Sequence, residues 1–188
     1  NDLPSFISSR HGQSSVALSL FADDTCLIFN HNDFNALFHL FDSVSKDLCN
    51  WFSANKLFLN VSKTQSVQFS PQTSKNMPVP FFMNSIMVNS SLTTKFLGIH
   101  LDFDVKWTSH IDNLVKQLNS SIFALRCLSQ FASKEALTLG YCGLIESRLT
   151  YGVIFWGFCS EHSFQRIFVL QKRALRVVWR TGGRDSCR

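Results

Sequence analysis

Two adjacent carboxylates are the residues of this 188-residue chain best suited to chemistry. Asp23 and Asp24 follow Phe21 and Ala22, and apolar segments flank them on both sides. Carboxylate oxygens on a rigid turn suit the octahedral oxygen ligation that Mg²⁺ requires. The plain alternative is a solvated turn, because aspartate favours turns in any chain. The apolar flanks favour the metal site, since an unneutralised carboxylate pair between them is electrostatically expensive.

The elements that must position this pair are a hairpin and the helix that follows it. Residues 15–20 alternate, with Val16, Leu18 and Leu20 on one side, and a second apolar stretch runs from Thr25 to Phe29. This pattern predicts a β-hairpin with the two aspartates at its turn. Asp33 ends a polar cluster that offers a helix N-cap. A helix of about five turns should follow, because apolar residues recur at helical spacing. Its predicted buried stripe is Phe34, Leu37, Phe38, Phe41, Val44, Leu48 and Trp51.

Shorter elements fill the rest of the first half. Short strands are predicted at Lys56–Asn60 and Gln65–Phe69, and the polar, proline-containing stretch Pro71–Pro80 predicts a loop. A second hairpin is predicted from Phe81 to Val88, with its turn at Asn84 and Ser85. A further strand, Phe96–Leu101, contains Gly98.

The hydrophobic period changes to that of a helix after Asp102. Three helices are predicted, the last two separated by a break at Tyr151–Phe158, with Tyr151, Trp156 and Trp179 in the core. The sequence therefore predicts an α+β protein. An antiparallel sheet with a packed helix occupies 1–101, and an all-α helical bundle occupies 102–188.

Positive charge is concentrated at the end of the chain. Residues 161–188 contain seven basic and two acidic side chains, a net +5, whereas the remaining residues contain eleven of each and sum to zero. A basic end on a neutral body suits a phosphate-binding surface, and a solvated helix face is the alternative.

Cysteine spacing and hydropathy exclude several classes. The six cysteines form no C-x-x-C pair and no cluster with histidine at zinc-finger spacing, so reduced thiols in an intracellular protein are predicted. No apolar run approaches the length of a membrane span, and the first residues lack a signal pattern.

Several ordered motifs carry a resemblance to a known family. They are Asn1-Asp2-Leu3-Pro4, Phe21-Ala22-Asp23-Asp24-Thr25, Trp51-Phe52 with Asn55-Lys56-Leu57-Phe58-Leu59-Asn60 and Lys63-Thr64, Phe96-Leu97-Gly98-Ile99, Trp107 with His110-Ile111, Tyr151-Gly152, Trp156-Gly157, and Gln171-Lys172-Arg173-Ala174-Leu175-Arg176. In this order they resemble the reverse transcriptases of non-LTR (LINE-type) retrotransposons.

The resemblance implies a fold, a cofactor and substrates. It implies the end of a polymerase palm in 1–101 and a thumb-like bundle in 102–188. Asp23 would be the principal ligand of Mg²⁺, with Mn²⁺ as an alternative, and Asp24 its partner. Phe21, where tyrosine is commoner, would keep a stacking or packing role. An RNA template, a DNA primer and deoxynucleoside triphosphates would be the substrates, and the nucleus the site of action.

Three further positions take roles from the same resemblance. Lys63 would lie near the leaving pyrophosphate, where an ammonium can donate a proton or neutralise charge; a surface lysine is the alternative. Leu97 and Gly98 would form the primer grip, where glycine permits close approach of a strand; an ordinary bend is the alternative.

The basic last helix would contact the primer-template backbone. Lys172, Arg173 and Arg176 fall at helical spacing, with Arg180 one turn further on. Such a row could follow phosphates without reading sequence, and a solubilising face is the alternative.

The resemblance also marks something missing. In that family the first catalytic aspartate precedes the segment that corresponds to Asn1-Asp2-Leu3-Pro4, so we expect this chain alone to be inactive. Two-metal nucleotidyl transfer would belong to a longer parent protein. A non-catalytic nucleic-acid-binding remnant is the second hypothesis. A metal-dependent nuclease is the third, although its additional Glu or His ligands are not evident nearby.

Overall fold

The computed structural model describes residues 2–12, 15–69, 80–83 and 85–181. These residues form two compact units. Unit 1 contains the described residues up to Ser91 except Phe69, and unit 2 contains Phe69 and the residues from Leu92 onward. Asn1, nearly all of the predicted loop, Asn84 and the last two arginines lie outside the described residues. Residues 92–101, grouped with the first half in the sequence analysis, belong to unit 2. The assignment of palm and thumb stays a prediction.

Unit 1 is built from two helices and two small sheets. Its elements are α1 (Leu3–His11), β1 (Val16–Phe21), β2 (Asp24–Phe29), α2 (Phe34–Ala54), a 3₁₀ turn (Val61–Lys63), β3 (Gln65–Ser66), β4 (Phe81–Met83) and β5 (Ile86–Ser90). β1 and β2 form an antiparallel hairpin. β5 pairs antiparallel with β4 and parallel with the two-residue β3, in the order β3-β5-β4. Both predicted hairpins of unit 1 are confirmed.

One core joins these elements. Val16 of β1, Val44 and Leu48 of α2, Met83 of β4 and Val88 of β5 are buried together. The N-cap of α2 is as predicted, because the Asp33 carboxylate accepts a hydrogen bond from the Ala36 N–H at 2.8 Å. The predicted stripe lies on the buried side, except that Phe34 in the first turn is 38% exposed.

The strand predicted at Lys56–Asn60 is wrong. Lys56 has a φ of +56°, outside the range of a strand, and residues 57–60 have no regular structure. The Asn60 side chain accepts a hydrogen bond from the Lys63 N–H and so begins the 3₁₀ turn. The asparagine side chain forms this local hydrogen bond in place of β-strand pairing, which would need a partner strand.

Helix α1 was not predicted. Its first turn contains Pro4, a residue tolerated there because the first N–H groups of a helix lack partners. The side chains of Leu3 and Ile7 are buried in the unit 1 core, so one face of α1 packs against it. Arg10 and His11 both bond the Asp47 carboxylate of α2, at 2.8 and 2.9 Å.

Unit 2 consists of one hairpin and a helical bundle. Its elements are β6 (Thr93–Phe96), β7 (Ile99–Asp102), α3 (Thr108–Leu128), α4 (Lys134–Tyr141), a π-helical segment (Cys142–Glu146), α5 (Ser147–Thr150), α6 (Val153–Trp156) and α7 (Glu161–Trp179). The single strand predicted at Phe96–Leu101 is wrong, because Leu97 and Gly98 turn the chain and β6 pairs back on β7. The three predicted helices are present, the second of them continued by the π-helical segment and α5.

Helices α3 and α7 form the centre of the bundle. Asp112 of α3 pairs with Arg166 of α7 at 2.8 Å, whereas near the other end Arg180 donates to the Ser129 carbonyl at 3.1 Å. The two helices therefore run in the same direction. Their buried seam contains Ile111, Leu114, Leu118, Ile122, Leu125, Ile167, Leu170 and Ala174. No helix among the described residues has both the length and the apolar character needed to cross a membrane.

Candidate metal centre and candidate nucleic-acid interface

The carboxylate pair lies at the tip of the β1–β2 hairpin. Phe21 pairs with Asp24 across the strands, so Ala22 and Asp23 form a two-residue turn and Asp24 opens β2. Both aspartates are exposed, and so is Phe21, at 60%. The hairpin predicted from sequence is confirmed, but only Asp23 lies in its turn, because Asp24 is already paired with Phe21 in β2. It holds two adjacent carboxylates at a fixed strand register with their side chains open to solvent.

The hairpin is anchored on one side only. Val16 is buried, and Leu18, Leu20 and Leu27 pack against the unit 1 core. Because side chains alternate across a strand, this packing fixes the register and leaves the opposite face free for function.

The turn itself contains strained backbone. Ala22 has a φ of +52°, whereas Asp23 keeps a negative φ. This is the pattern of a type II′ hairpin turn, whose first central position favours glycine. A residue with a Cβ costs about 1–2 kcal/mol in this conformation.

Replacing Ala22 by glycine should therefore raise the free energy of unfolding by roughly 0.5–1 kcal/mol, because the relieved strain exceeds the entropy that glycine adds to the unfolded chain. Urea denaturation of the whole chain measures this. Ala36→Gly in the first turn of α2 is the control and should lower stability. Equal losses in the two variants would contradict the strained turn.

The candidate metal site consists of this carboxylate pair. Among the described residues, no group of three or more His, Cys, Asp or Glu side chains could hold a metal ion. Two adjacent carboxylates match the oxygen preference of Mg²⁺, but a two-metal centre usually needs carboxylates from a second strand as well. The additional ligands of a nuclease are likewise not found in this described part of the chain.

Lys63 belongs to the same unit as the carboxylates. It ends the 3₁₀ turn, its side chain is exposed, and its N–H lies 3.1 Å from the Asn60 carbonyl and 3.3 Å from the Asn60 Oδ1. Val61, two residues earlier, is buried in the core on which the hairpin packs. The lysine is thus on a backbone fixed to that core, with a free side chain.

The turn predicted as primer grip is a two-residue hairpin turn in unit 2. Leu97 and Gly98 have φ values of +45° and +83°, as a type I′ turn requires. The Tyr151 hydroxyl donates to the Leu97 carbonyl, and a Cβ on Gly98 would lie 3.4 Å from the Tyr151 ring. Two of the motifs named above therefore contact each other. The grip role of Leu97 and Gly98 stays a prediction.

The four basic residues predicted to bind nucleic acid, in and just after α7, divide into two groups. The Lys172 ammonium lies 4.3 Å from the centre of the Phe168 ring. Arg173, Arg176 and Arg180 instead line an open groove of about 620 Å³, together with Arg126 of α3, which sequence reasoning missed. No sequence signal identifies Arg126, because its position depends on which helix packs beside α7.

Three aromatic residues of the bundle were predicted to be core. Trp156 is buried, at 2% exposure, as predicted. Tyr151 and Trp179 are exposed, at 54% and 59%, so that prediction is wrong for both. Each takes a polar contact instead: Tyr151 donates to Leu97, and the Lys134 ammonium lies 3.5 Å from the Trp179 ring centre.

The motif of Trp107, His110 and Ile111 has a structural explanation. Ile111 is fully buried in α3, and Trp107 packs against the same core. The His110 ring lies beside that of Trp156, with centres 5.9 Å apart. Burial, and to a lesser extent the neighbouring His100, lowers the pKa of His110.

Fold and site define an α+β protein with an exposed acidic hairpin in one unit and an arginine-lined groove in the other. Comparison with known proteins shows which proteins the chain is similar to. The chain is similar to three polymerases of Drosophila melanogaster, and no protein-family model or solved structure matches it.

The similarities cover most of this chain. It is 25% identical over 166 residues to the probable RNA-directed DNA polymerase from transposon BS, covering 86% of this chain and 18% of that protein. For the probable RNA-directed DNA polymerase from transposon X-element the identity is 22% over 182 residues, covering 95% and 20%. For the RNA-directed DNA polymerase from mobile element jockey it is 22% over 171 residues, covering 88% and 18%.

The chain spans about a fifth of the length of the curated relatives it matches. These matches confirm the resemblance to RNA-directed DNA polymerases of non-LTR retrotransposons.

Proposed function

We propose that this chain contributes the acidic hairpin of a reverse transcriptase, with Asp23 as the principal ligand of a catalytic Mg²⁺ ion and Asp24 as its partner. The observation that carries the proposal is the exposed carboxylate pair at the tip of a hairpin whose other face is packed in a core. The similarity to polymerases over 86% or more of the chain supports the same function.

The donor set fits the metal. Two carboxylates from consecutive residues offer hard oxygen ligands, and their exposure leaves room for the waters that Mg²⁺ retains. When bound, the ions would lower the charge of the triphosphate and activate the primer 3′-hydroxyl. The remaining carboxylate would come from the part of the polymerase that this chain does not match. The chain alone would then bind metal weakly and not extend a primer.

The other predicted residues take supporting roles in this proposal. The Lys63 ammonium neutralises charge on the departing pyrophosphate. Phe21, exposed next to the carboxylates, offers a ring against which a base can pack. An RNA template, a DNA primer and deoxynucleoside triphosphates are the proposed substrates.

Titration of the chain with Mn²⁺ tests the metal site directly. The paramagnetic ion should selectively broaden the backbone amide NMR signals of residues 21–25, because its effect falls steeply with distance. The double variant Asp23→Asn, Asp24→Asn should remove this broadening. Asp42→Asn on α2, where the carboxylate pairs with Lys46, is the matched control and should leave it unchanged. Broadening spread equally over all exposed acidic residues would refute the site.

A non-catalytic nucleic-acid-binding protein is the second candidate. The arginine-lined groove favours it, since this feature needs no metal. If Mn²⁺ has no preferred position while a nucleic acid duplex binds equally well in EDTA, the second function replaces the first.

A further inference from the structure

A buried histidine joins the hairpin of unit 2 to the helical bundle. His110 lies in the first turn of α3, is 6% exposed, and accepts a hydrogen bond at Nδ1 from the His100 N–H of β7, at 3.4 Å. A backbone N–H can only donate, so Nδ1 carries no proton and the proton of the neutral ring is on Nε2. The contact therefore requires the neutral form of His110.

The pairing of β6 with β7 leaves the His100 N–H directed at α3. Phe96 and Ile99 close the two-residue turn as a pair, and Lys95 faces His100 in the next pair. Hydrogen-bonded and non-hydrogen-bonded pairs alternate along an antiparallel ladder, and the pair that closes such a turn is hydrogen-bonded. The His100 N–H thus points away from β6. If His110 were protonated, two N–H donors would face each other and the His100 N–H would lose this acceptor.

The surroundings of His110 on balance oppose a positive charge. Burial has the largest effect, the His100 ring of β7 has the next, and together they lower the pKa of His110 although Asp102 of β7 acts in the opposite direction. Asp102 is itself buried, and its Oδ2 atom accepts from the Ser109 N–H at 3.2 Å, which directs that oxygen at the start of α3. A cation in the first turn of a helix is also disfavoured by the helix dipole.

The helices that pack near His110 contribute a cation and an uncharged ring. A cavity of about 200 Å³ beside His110 is lined by Arg148 of α5 and by Tyr151, and no carboxylate is among its described lining residues. The Arg148 guanidinium donates to the Leu144 carbonyl at 2.8 Å. The Trp156 ring of α6 has its centre 5.9 Å from that of His110. Asp102 is therefore the group to weigh against protonation of His110 being unfavourable.

We propose that His110 is an acid-sensitive contact, which fixes β7 to α3 while its ring is neutral and releases β7 when the ring binds a proton. The Nε2 atom of His110 and the Oδ1 atom of Asp102 are both buried and have no hydrogen-bond partner among the described residues. Protonation would thus remove the hydrogen bond at Nδ1 without adding one at Nε2. The Leu97–Gly98 turn precedes β7 directly, so its position becomes dependent on pH. The inference does not depend on the proposed metal site.

Urea denaturation of the full chain between about pH 8 and about pH 5 tests this contact. Below the usual histidine pKa of about 6.5 the unfolded chain binds a proton that folded His110 does not, so stability is present above that pH and is lost as the pH falls toward the lowered pKa. One such proton changes the unfolding equilibrium constant by up to about tenfold per pH unit. His110→Asn should remove this part of the pH dependence, because an amide oxygen in place of Nδ1 accepts the same bond and does not titrate.

His162→Asn is the matched control, since it removes an exposed histidine from α7 in the same unit. Its pH dependence should equal that of the unaltered protein. His110→Leu removes the acceptor at every pH, so hydrogen exchange of the His100 amide at about pH 7 should be faster in His110→Leu and unaltered in His110→Asn. An undiminished pH dependence in His110→Asn, or the same His100 protection in both His110 variants, would overturn the proposal.

NMR titration of the unaltered protein adds a measurement that needs no variant to fold. The His110 ring signals should titrate at lower pH than those of His162, and the His100 amide signal should shift with the same midpoint as the His110 ring. A His110 midpoint at or above that of His162 would mean that Asp102 pairs with the protonated ring. Acid would then strengthen the contact, and the proposal would fail.

Discussion

Replacing Asp23 by asparagine in an active polymerase that carries this segment should lower the rate of primer extension by about 10²–10⁴-fold, because a bound metal stabilises transition-state charge by several kcal/mol. An amide keeps the shape of the side chain and loses its charge. Asp24→Asn should have a smaller effect, since Asp24 opens β2 rather than lying in the turn. Single-turnover extension with Mg²⁺ on an RNA template measures both rates.

Two comparisons make this result specific to the hairpin. Asp42→Asn, which removes an exposed carboxylate from α2, should extend at the unaltered rate. The 188-residue chain alone should show no extension, because no group of three or more possible metal ligands occurs among its described residues. Extension by the isolated chain above the level of its Asp23→Asn, Asp24→Asn variant would contradict the need for a further carboxylate. An Asp23→Asn polymerase within threefold of the unaltered one would remove Asp23 from the site.

The hairpin and the position of the two aspartates near its tip could be predicted from sequence because the relevant signals are local. Strict alternation at Val16, Leu18 and Leu20 fixes which face is buried, and the adjacent aspartates interrupt the apolar pattern at one point. The strained backbone at Ala22 could not be predicted, since alanine gives no signal for positive φ. Only the closing of the two strands imposes that conformation.

Errors occurred where the turn signal was weak or the partner was distant. Leu97-Gly98 is not among the dipeptides typical of a two-residue turn, so β6 and β7 were merged into one strand. Tyr151 and Trp179 are large aromatic residues at a helix end or break, and periodicity cannot distinguish a buried ring from one that covers a polar contact. Arg126 shows the same limit, because its position beside the arginines of α7 depends on the packing of α3 against α7.

Gly152 in unit 2 should tolerate alanine poorly. It has a φ of +64°, and a Cβ there would lie 2.6 Å from the Ile99 Cδ1. The left-handed backbone costs about 1–2 kcal/mol for alanine, and overpacking costs about 1–3 kcal/mol. Gly152→Ala should therefore reduce the free energy of unfolding by about 2–5 kcal/mol, as measured by urea denaturation.

The two contributions can be separated by a second substitution. Ile99→Val removes the Cδ1 atom that a Cβ on Gly152 would meet, so in the Ile99→Val background the Gly152→Ala substitution should cost only the backbone contribution. We expect the losses in free energy of unfolding of the two single variants to add up to at least about 1 kcal/mol more than the loss of the double variant, as found for residues in contact. Gly143→Ala, where nothing lies within 4 Å, is the control and should change stability by less than about 1 kcal/mol.

This cycle tests why two motifs distant in the sequence occur together. If Gly152 and Ile99 are coupled, the segment after α5 fixes the β6–β7 hairpin through two contacts. Gly152 packs against Ile99 of β7, and the Tyr151 hydroxyl donates a hydrogen bond to the Leu97 carbonyl in the turn. The position of Leu97 and Gly98 then depends on the helical bundle, and Gly152→Ala should also disturb any function of that turn. Strict additivity of the two substitutions would mean that the hairpin is held by other contacts, and Gly152 would be needed only for its backbone conformation.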